Sequence, residues 1–262
     1  MSTAAPQTPR DRIASAIRAA GRDGEPALVA YLTAGFPSRD RFAEHVRALA
    51  GGADVLEIGV PFTDPMADGV TVQRSSQVAL SQGVTLQWIL DELGAMGPLR
   101  VPALLMSYLN PLLAFGLDRL ACAAIRAGVS GFIVPDLPVD ESSLVRDAFG
   151  GAGLALVQMV TPVTRAERLA QVCRASEGFV YAVTMTGTTG GSVSVPADTL
   201  DYLDRVRAAS TAPVCAGFGI RNAEHIARLR GHVDGAIVGS ALVEVLERGE
   251  DPAAWLAKLR AR

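Results

Sequence analysis

Short runs rich in Val, Ile, Leu and Ala recur along the chain, and each is followed by a stretch in which apolar residues return every three or four positions. The runs centre on Ala27 to Thr33, Val55 to Ile58, Ala103 to Met106, Phe132 to Val134, Leu154 to Val160, Phe179 to Val183, Val214 to Gly217 and Gly235 to Val238. They are too continuous for strands with one wet face, so they read as strands covered on both sides. The helical period falls on Arg39 to Ala50, Thr71 to Gln82 with Thr85 to Leu93, Leu117 to Ala127, Glu141 to Phe149, Ala166 to Ala175, Asp198 to Ala209, Ala223 to Leu229, and Ser240 to Arg248 with Pro252 to Leu259. One further helix, Arg12 to Ala20, precedes the first strand, and the polar stretch 1–9 reads as a flexible tail.

Eight strand-then-helix units predict an α/β protein, a (β/α)8 TIM barrel with an extra N-terminal helix and a short extra helix after strand 8. A closed barrel suits that count better than an open doubly wound sheet. No Pro/Gly/Ser-rich linker divides the 262 residues, which are therefore read as a single barrel domain. Gly51-Gly52, Gly128 and Gly150-Gly151 stand where left-handed helix caps are expected.

The second strand breaks the apolar rule. Glu57 lies inside Val55-Leu56-Glu57-Ile58-Gly59, and an isolated carboxylate there must be paired, sit at an open strand end, or hold a proton. Asp64 and Asp68 follow in a loop made rigid by Pro61 and Pro65 and closed by Gly69. One reading is a buried ion pair followed by ordinary turn aspartates. The other is a general acid/base at the C-terminal end of a barrel strand, with a second carboxylate on the next loop. The strand carries no cation, which favours the second.

Composition narrows the chemistry. A hydrophobic content of 49% supports a large core, and a net charge of -3 without Lys/Arg clusters argues against nucleic-acid or anionic-membrane surfaces. No apolar stretch reaches a membrane span and the first residues carry no apolar leader core, so a soluble cytoplasmic protein is expected. Cys122, Cys173 and Cys215 are widely spaced and read as reduced core thiols. His45, His225 and His232 fall in or just after helices, which argues against a His triad or a His-ligated metal, and no metal site is expected. Lys258 is the only lysine and lies in the last helix, which excludes Schiff-base catalysis.

Three predicted strand ends are rich in glycine. Thr184 to Ser192 after strand 6 is long enough for a lid, Gly217-Phe218-Gly219 follows strand 7, and Gly239-Ser240-Ala241 opens the short helix after strand 8. Glycines at the last two strand ends beside a helix N-terminus predict a phosphate cradle built from backbone N–H groups. Tyr31, Leu105, Phe132, Val134, Tyr181 and Phe218 are candidate apolar walls for a hydrophobic part of the substrate. Among them Tyr181 stands out as a polar-tipped ring in an apolar strand.

The stretch Leu56-Glu57-Ile58-Gly59-Val60-Pro61-Phe62-Thr63-Asp64-Pro65-Met66-Ala67-Asp68-Gly69 closely resembles the signature of tryptophan synthase α subunits. Tyr31 to Pro37, Met106 to Pro111, Pro135 to Pro138, Gly187 to Gly190, Gly217 to Ile220 and Gly239 to Ala241 extend the likeness from about residue 10 to the end. The resemblance implies a lyase that cleaves indole-3-glycerol phosphate reversibly to indole and glyceraldehyde 3-phosphate, in tryptophan biosynthesis. It implies Glu57 as general acid/base, Asp68 as the carboxylate facing the indole N–H, and Thr189 as the lid residue that orders against Asp68. Tyr181 is implied as the active-site tyrosine, and Gly190, Gly219, Gly239 and Ser240 as the phosphate cradle. No cofactor is implied in this chain. Pyridoxal phosphate is expected only in a partner β subunit, joined in an αββα heterotetramer through loops that include Pro61 to Asp64.

Burial among Leu56 and Ile58 is expected to lift the Glu57 pKa toward roughly 6 to 7, whereas Asp68, nearer solvent, is expected to stay ionised. The chain departs from the usual family pattern at Val70, at Thr188, and at Met185 with Gly191-Ser192-Val193. Two other readings stand beside this one: a phosphate-ligand-binding barrel that mainly activates a partner, and a lyase that releases indole without a partner.

Overall fold

The computed structural model describes residues 7–21, 24–184, 197–217 and 219–260. Eight parallel strands close a barrel in sequence order: β1 (Ala27–Thr33), β2 (Val55–Gly59), β3 (Ala103–Met106), β4 (Val129–Ile133), β5 (Ala155–Val160), β6 (Val180–Val183), β7 (Val214–Gly217) and β8 (Gly235–Val238). β1 pairs with both β2 and β8, so the sheet has no free edge. The helices are α1 (Pro9–Ala20), α2 (Phe42–Gly52), α3 (Val70–Ser81), α4 (Leu86–Met96), α5 (Leu109–Phe115), α6 (Leu117–Arg126), α7 (Ser143–Gly150), α8 (Ala166–Ala175), α9 (Ala197–Ala209), α10 (Ala223–Leu229), α11 (Ser240–Glu247) and α12 (Pro252–Arg260). Among the described residues no helix is long and apolar enough to cross a membrane.

Alternate strand residues face opposite layers, as the two-residue strand period requires. Leu28, Ala30 and Leu32 of β1 and Leu56 and Ile58 of β2 pack outward against helices such as α2 and α4. Ala27, Val29, Val55, Leu104, Ile133, Ala155, Val157, Phe179, Tyr181, Cys215 and Ile237 fill the inside. The N-terminal mouth is closed by α1, whose buried Ile13 and Ile17 are four residues apart and join that inner layer.

The first helix begins earlier than its apolar period predicts. Pro9 occupies the first turn, where its missing N–H costs nothing, and Thr8 and Asp11 form a reciprocal capping box. Thr8 and Pro9 therefore belong to the helix and not to a tail. An unpredicted helix, α5, occupies Leu109–Phe115, because Pro111 falls in its first turn and is tolerated there. β4 starts at Val129 and not near Phe132, since Gly131 is a strand residue whose added methyl would strike Ala155. Of the predicted glycine caps only Gly128 takes a positive φ, 74°; after α7 it is Gly153, at 69°, that turns the chain. Cys173 and Cys215 are buried, but Cys122 is exposed on α6 and is not a core thiol.

Ile13→Ala removes a fully buried side chain from the barrel floor, where rigid strands prevent collapse. The expected loss is roughly 2–5 kcal/mol, read as a lower midpoint in urea-induced unfolding with an unchanged slope.

Candidate active site

Glu57 is the third residue of β2 and faces inward, opposite Tyr31 of β1 and Leu104 of β3 in the strand register. It is 1% exposed, and its Oε2 atom has no hydrogen-bond partner among the described residues. Burial, and secondarily the charge of Asp68, push its pKa up to about 8, so the group is mainly protonated at neutral pH. Among the described residues no cation supports the ion-pair reading of Glu57: the effects that act on the group are desolvation and a like charge.

Asp68 lies on the loop between β2 and α3, one residue before Gly69, which caps α3. The loop is braced by Gln73, whose side-chain amide donates to the Asp68 carbonyl at 2.8 Å. The Tyr108 hydroxyl accepts from the Ala67 N–H at 2.9 Å and hydrogen-bonds the Asp68 carboxylate. Burial raises the Asp68 pKa to about 6 and the Tyr108 bond opposes that rise, so Asp68 remains mostly ionised at pH 7. Tyr108 is held in turn by stacking on Phe62, with ring centroids 5.2 Å apart. It is a site residue the sequence reading missed. Its signal is the one that picked out Tyr181, a polar-tipped ring at the end of an apolar strand.

Tyr31 and Tyr181 both face inward above Glu57, and each lies across a glycine of the neighbouring strand. A methyl group on Gly59 would collide with the Tyr31 hydroxyl, and one on Gly217 with that of Tyr181. These two positions need glycine for space, since bulky residues there would fill the mouth. Burial raises both phenols well above the ordinary tyrosine range, which keeps them neutral.

The cradle residues that the structure describes stand at adjoining strand ends. Gly219 follows β7 with φ 81°, and its carbonyl lies 3.0 Å from His225 Nδ1. Gly239 follows β8, close to the Tyr31 ring, and Ser240 opens α11. The Leu242 and Val243 N–H groups donate back to the Gly239 carbonyl, while the amides of Ser240 and Ala241 precede any intrahelical acceptor. Thr189, Gly190 and Phe218 lie outside the described residues, as does most of the expected lid. Thr184, at its start, is tied to the Gly217 carbonyl by its N–H at 3.0 Å and its hydroxyl at 2.8 Å.

Leu105 is a correction. It packs in the outer core between strands and helices, as do Phe132 and Val134, and Phe132 stacks on Phe149 of α7 at 4.4 Å. Leu104, Met106 and Ile133 carry the inward positions of β3 and β4 instead. A strand apolar on both faces gives no signal of which parity points inward. Among the described residues no group of three His, Cys, Asp or Glu side chains is placed to share a metal ion.

The raised pKa of Glu57 sets a pH dependence of stability. In the unfolded chain Glu57 titrates near its ordinary value of 4.5, whereas in the folded chain it does so near 8. Its favourable contribution is therefore complete below about pH 4.5 and is lost as pH rises toward 8. Glu57→Gln, which cannot ionise, is expected to gain stability over the unsubstituted chain across that window, reaching roughly 2–5 kcal/mol at pH 8 and above. Urea unfolding at pH 5, 7 and 8.5 measures the difference.

A family model described as tryptophan synthase alpha chain matches residues 17–262. The tryptophan synthase alpha chain of Nitratidesulfovibrio vulgaris (Hildenborough) is 42% identical over 94% of this chain and 96% of its own length. The structure of Mycobacterium tuberculosis tryptophan synthase in space group F222 superposes with a TM-score of 0.86 at 34% identity, covering 95% of this chain and 96% of that one. A tryptophan synthase complex from Pyrococcus furiosus aligns with a TM-score of 0.82 at 31% identity, covering 90% and 98%. Sequence, barrel and mouth agree, and the chain belongs to the tryptophan synthase alpha chain family.

Proposed function

We propose that this chain is the lyase that cleaves indole-3-glycerol phosphate to indole and glyceraldehyde 3-phosphate, with Glu57 carrying the proton. The single observation behind this reading is a buried, cation-free carboxyl whose proton is retained to about pH 8, beside a second carboxylate that titrates near 6. Two carboxyl groups separated in this way divide the work of acid and anion.

Glu57 donates its proton to C3 of the indole ring, which places positive charge on the ring nitrogen. Asp68 remains ionised and stabilises that charge and its N–H. The Glu57 carboxylate then removes the proton of the hydroxyl on the adjoining glycerol carbon. As that oxygen becomes the aldehyde carbonyl, the carbon–carbon bond breaks and its electron pair returns to the ring. Indole and the aldehyde leave, and Glu57 has recovered its proton. Atoms and charge balance with these carboxyl groups and the substrate alone, and we assign no cofactor to this chain.

Tyr31 and Tyr181 flank the indole in this reading, and Tyr108 orients Asp68. The phosphate rests on the backbone amides near Gly219, Gly239 and Ser240, with Gly190 and Thr189 contributed by the loop after β6. Phe218 is assigned to the indole wall from its place in the sequence. The barrel acts as one domain, in the cytoplasm, as part of tryptophan biosynthesis.

A β subunit carrying pyridoxal phosphate is the partner we assign, in an αββα complex. Support comes from Met66 and Val70, apolar residues 83% and 68% exposed on the loop that carries Asp68 and on the start of α3. Single exposed apolar residues are ordinary, but here two flank a catalytic loop on the site face.

Glu57→Gln is expected to lose at least about 10²-fold in indole release while still binding phosphate, since it keeps the shape and removes the transferable proton. Asp68→Asn is expected to slow both directions of the reaction. Near-normal turnover by the Gln variant in a spectrophotometric assay with indole-3-glycerol phosphate removes Glu57 from the mechanism. Addition of a tryptophan synthase β subunit is expected to raise the rate and to co-elute with this chain on size exclusion; separate elution with no rate change argues for a lyase that works unaided.

A further inference from the structure

The turn after β7 is held from outside the barrel by a side chain that the proposed reaction leaves unused. His225 stands on α10, where the side chain of Asn222 accepts its backbone N–H at 2.9 Å. This helix belongs to the outer layer, since its Ile226 and Leu229 pack in the outer core together with Ile220. His225 is 6% exposed, and its Nδ1 lies 3.0 Å from the Gly219 carbonyl oxygen and 3.3 Å from the Arg221 amide nitrogen. One ring nitrogen can donate to the first or accept from the second, not both at once. In either state it ties the turn to α10. A second tie runs to the other half of the cradle, because the Arg221 guanidinium pairs with Glu244 of α11, the helix that Ser240 opens.

The carbonyl contact sets the direction of a backbone donor. Gly219 C=O and Ile220 N–H belong to one trans peptide, and in that planar unit the two bonds point in opposite directions. With the carbonyl turned toward α10, the Ile220 N–H is turned away from it, to the mouth side of the turn. That N–H has no hydrogen-bond partner among the described residues, although Ile220 is only 5% exposed. Amides in such a place are ordinarily paired. Gly219 permits the arrangement, because its φ of 81° is one that residues with side chains rarely adopt. An anion accepting from Ile220 pushes electron density across the peptide onto the Gly219 oxygen, which becomes a better acceptor for a proton on Nδ1. The two bonds therefore strengthen one another.

We propose that the Ile220 N–H is a further donor to the substrate phosphate and that His225 is the positioning residue that aims it. The inference rests on the phosphate lying at Gly219, Gly239 and Ser240, so the experiment reads that assignment separately. The full chain, isotopically labelled in nitrogen, is titrated with inorganic phosphate while the amides of Gly239, Ser240 and Ile220 and the Nδ1 of His225 are followed by NMR. In parallel, kcat and KM for indole-3-glycerol phosphate are measured on the unsubstituted chain, His225→Phe and His225→Gln.

Phosphate is expected to shift the Ile220 amide together with those of Gly239 and Ser240, and to move Nδ1 toward the position of a protonated ring nitrogen. His225→Phe keeps a ring and loses the donor. It is expected to raise KM about tenfold, the worth of one hydrogen bond to a charged group, with kcat little changed, because the phosphate is bound alike in ground and transition states. His225→Gln, whose side-chain N–H can serve the same carbonyl, brings KM back toward that of the unsubstituted chain. A KM unmoved by His225→Phe, or raised equally by Phe and Gln, overturns the role of His225, since packing then accounts for the ring. Shifts at Gly239 and Ser240 with none at Ile220 overturn this inference and leave the cradle standing. No shift at any of the three overturns the cradle assignment itself, and this inference with it. Where His225→Phe does not fold, the phosphate titration of the unsubstituted chain decides alone.

Discussion

Burying the Glu57 carboxyl on the inward face of β2 removes water from its charged form, and no cation among the described residues is paired with it. An ionised carboxylate in such surroundings costs several kcal/mol, and the group avoids that cost by keeping its proton. Its neighbours reinforce the outcome. Asp68 presents a like charge, and Leu104 presents hydrocarbon. A carboxyl that holds its proton at neutral pH is the direct product of this arrangement, and it suits the acid role we propose for Glu57.

The same inward parity sets what lines the barrel above Glu57. Barrel interiors are ordinarily packed with branched side chains. Here the lower layers follow that rule with Val29, Val55, Leu104 and Ile237, and α1 plugs the floor with Ile13 and Ile17. Toward the mouth, Gly59, Gly217 and Gly239 replace them at inward positions of β2, β7 and the end of β8. Tyr31 and Tyr181 lie across the first two, so the upper layer is lined by rings.

Much of this was legible in the chain. Eight apolar runs separated by helical periods give the barrel, because only a closed parallel sheet buries so many strands on both faces. Glu57 was conspicuous because it violates its own strand, and Tyr181 for the same reason. Leu105, Phe132 and Val134 were misplaced because leucine, phenylalanine and valine serve either face equally well. The signal that settles parity was available in part: an inward Glu57 also makes Val55 and Gly59 inward and, through pairing, Tyr31. The helix α5 was hidden because it carries Pro111, although proline sits comfortably in a first helical turn.

The two carboxyls are mounted differently, and the difference suits the roles we propose for them. Glu57 sits on a barrel strand hydrogen-bonded on both sides, where its position relative to the mouth is rigid. Asp68 sits on a loop, held by Tyr108 and by Gln73 and joined to α3 through Gly69. A donor that must reach one carbon atom needs the fixed mount, because transfer depends on distance and angle. An ion that only has to stabilise nearby positive charge acts over a longer range and tolerates a loop. Since Asp68 also raises the proton affinity of Glu57, the loop's position bears on the strength of the acid as well as on the stabilisation of the cation. Glu57 and Asp68 are therefore coupled electrostatically, although they arise from different elements.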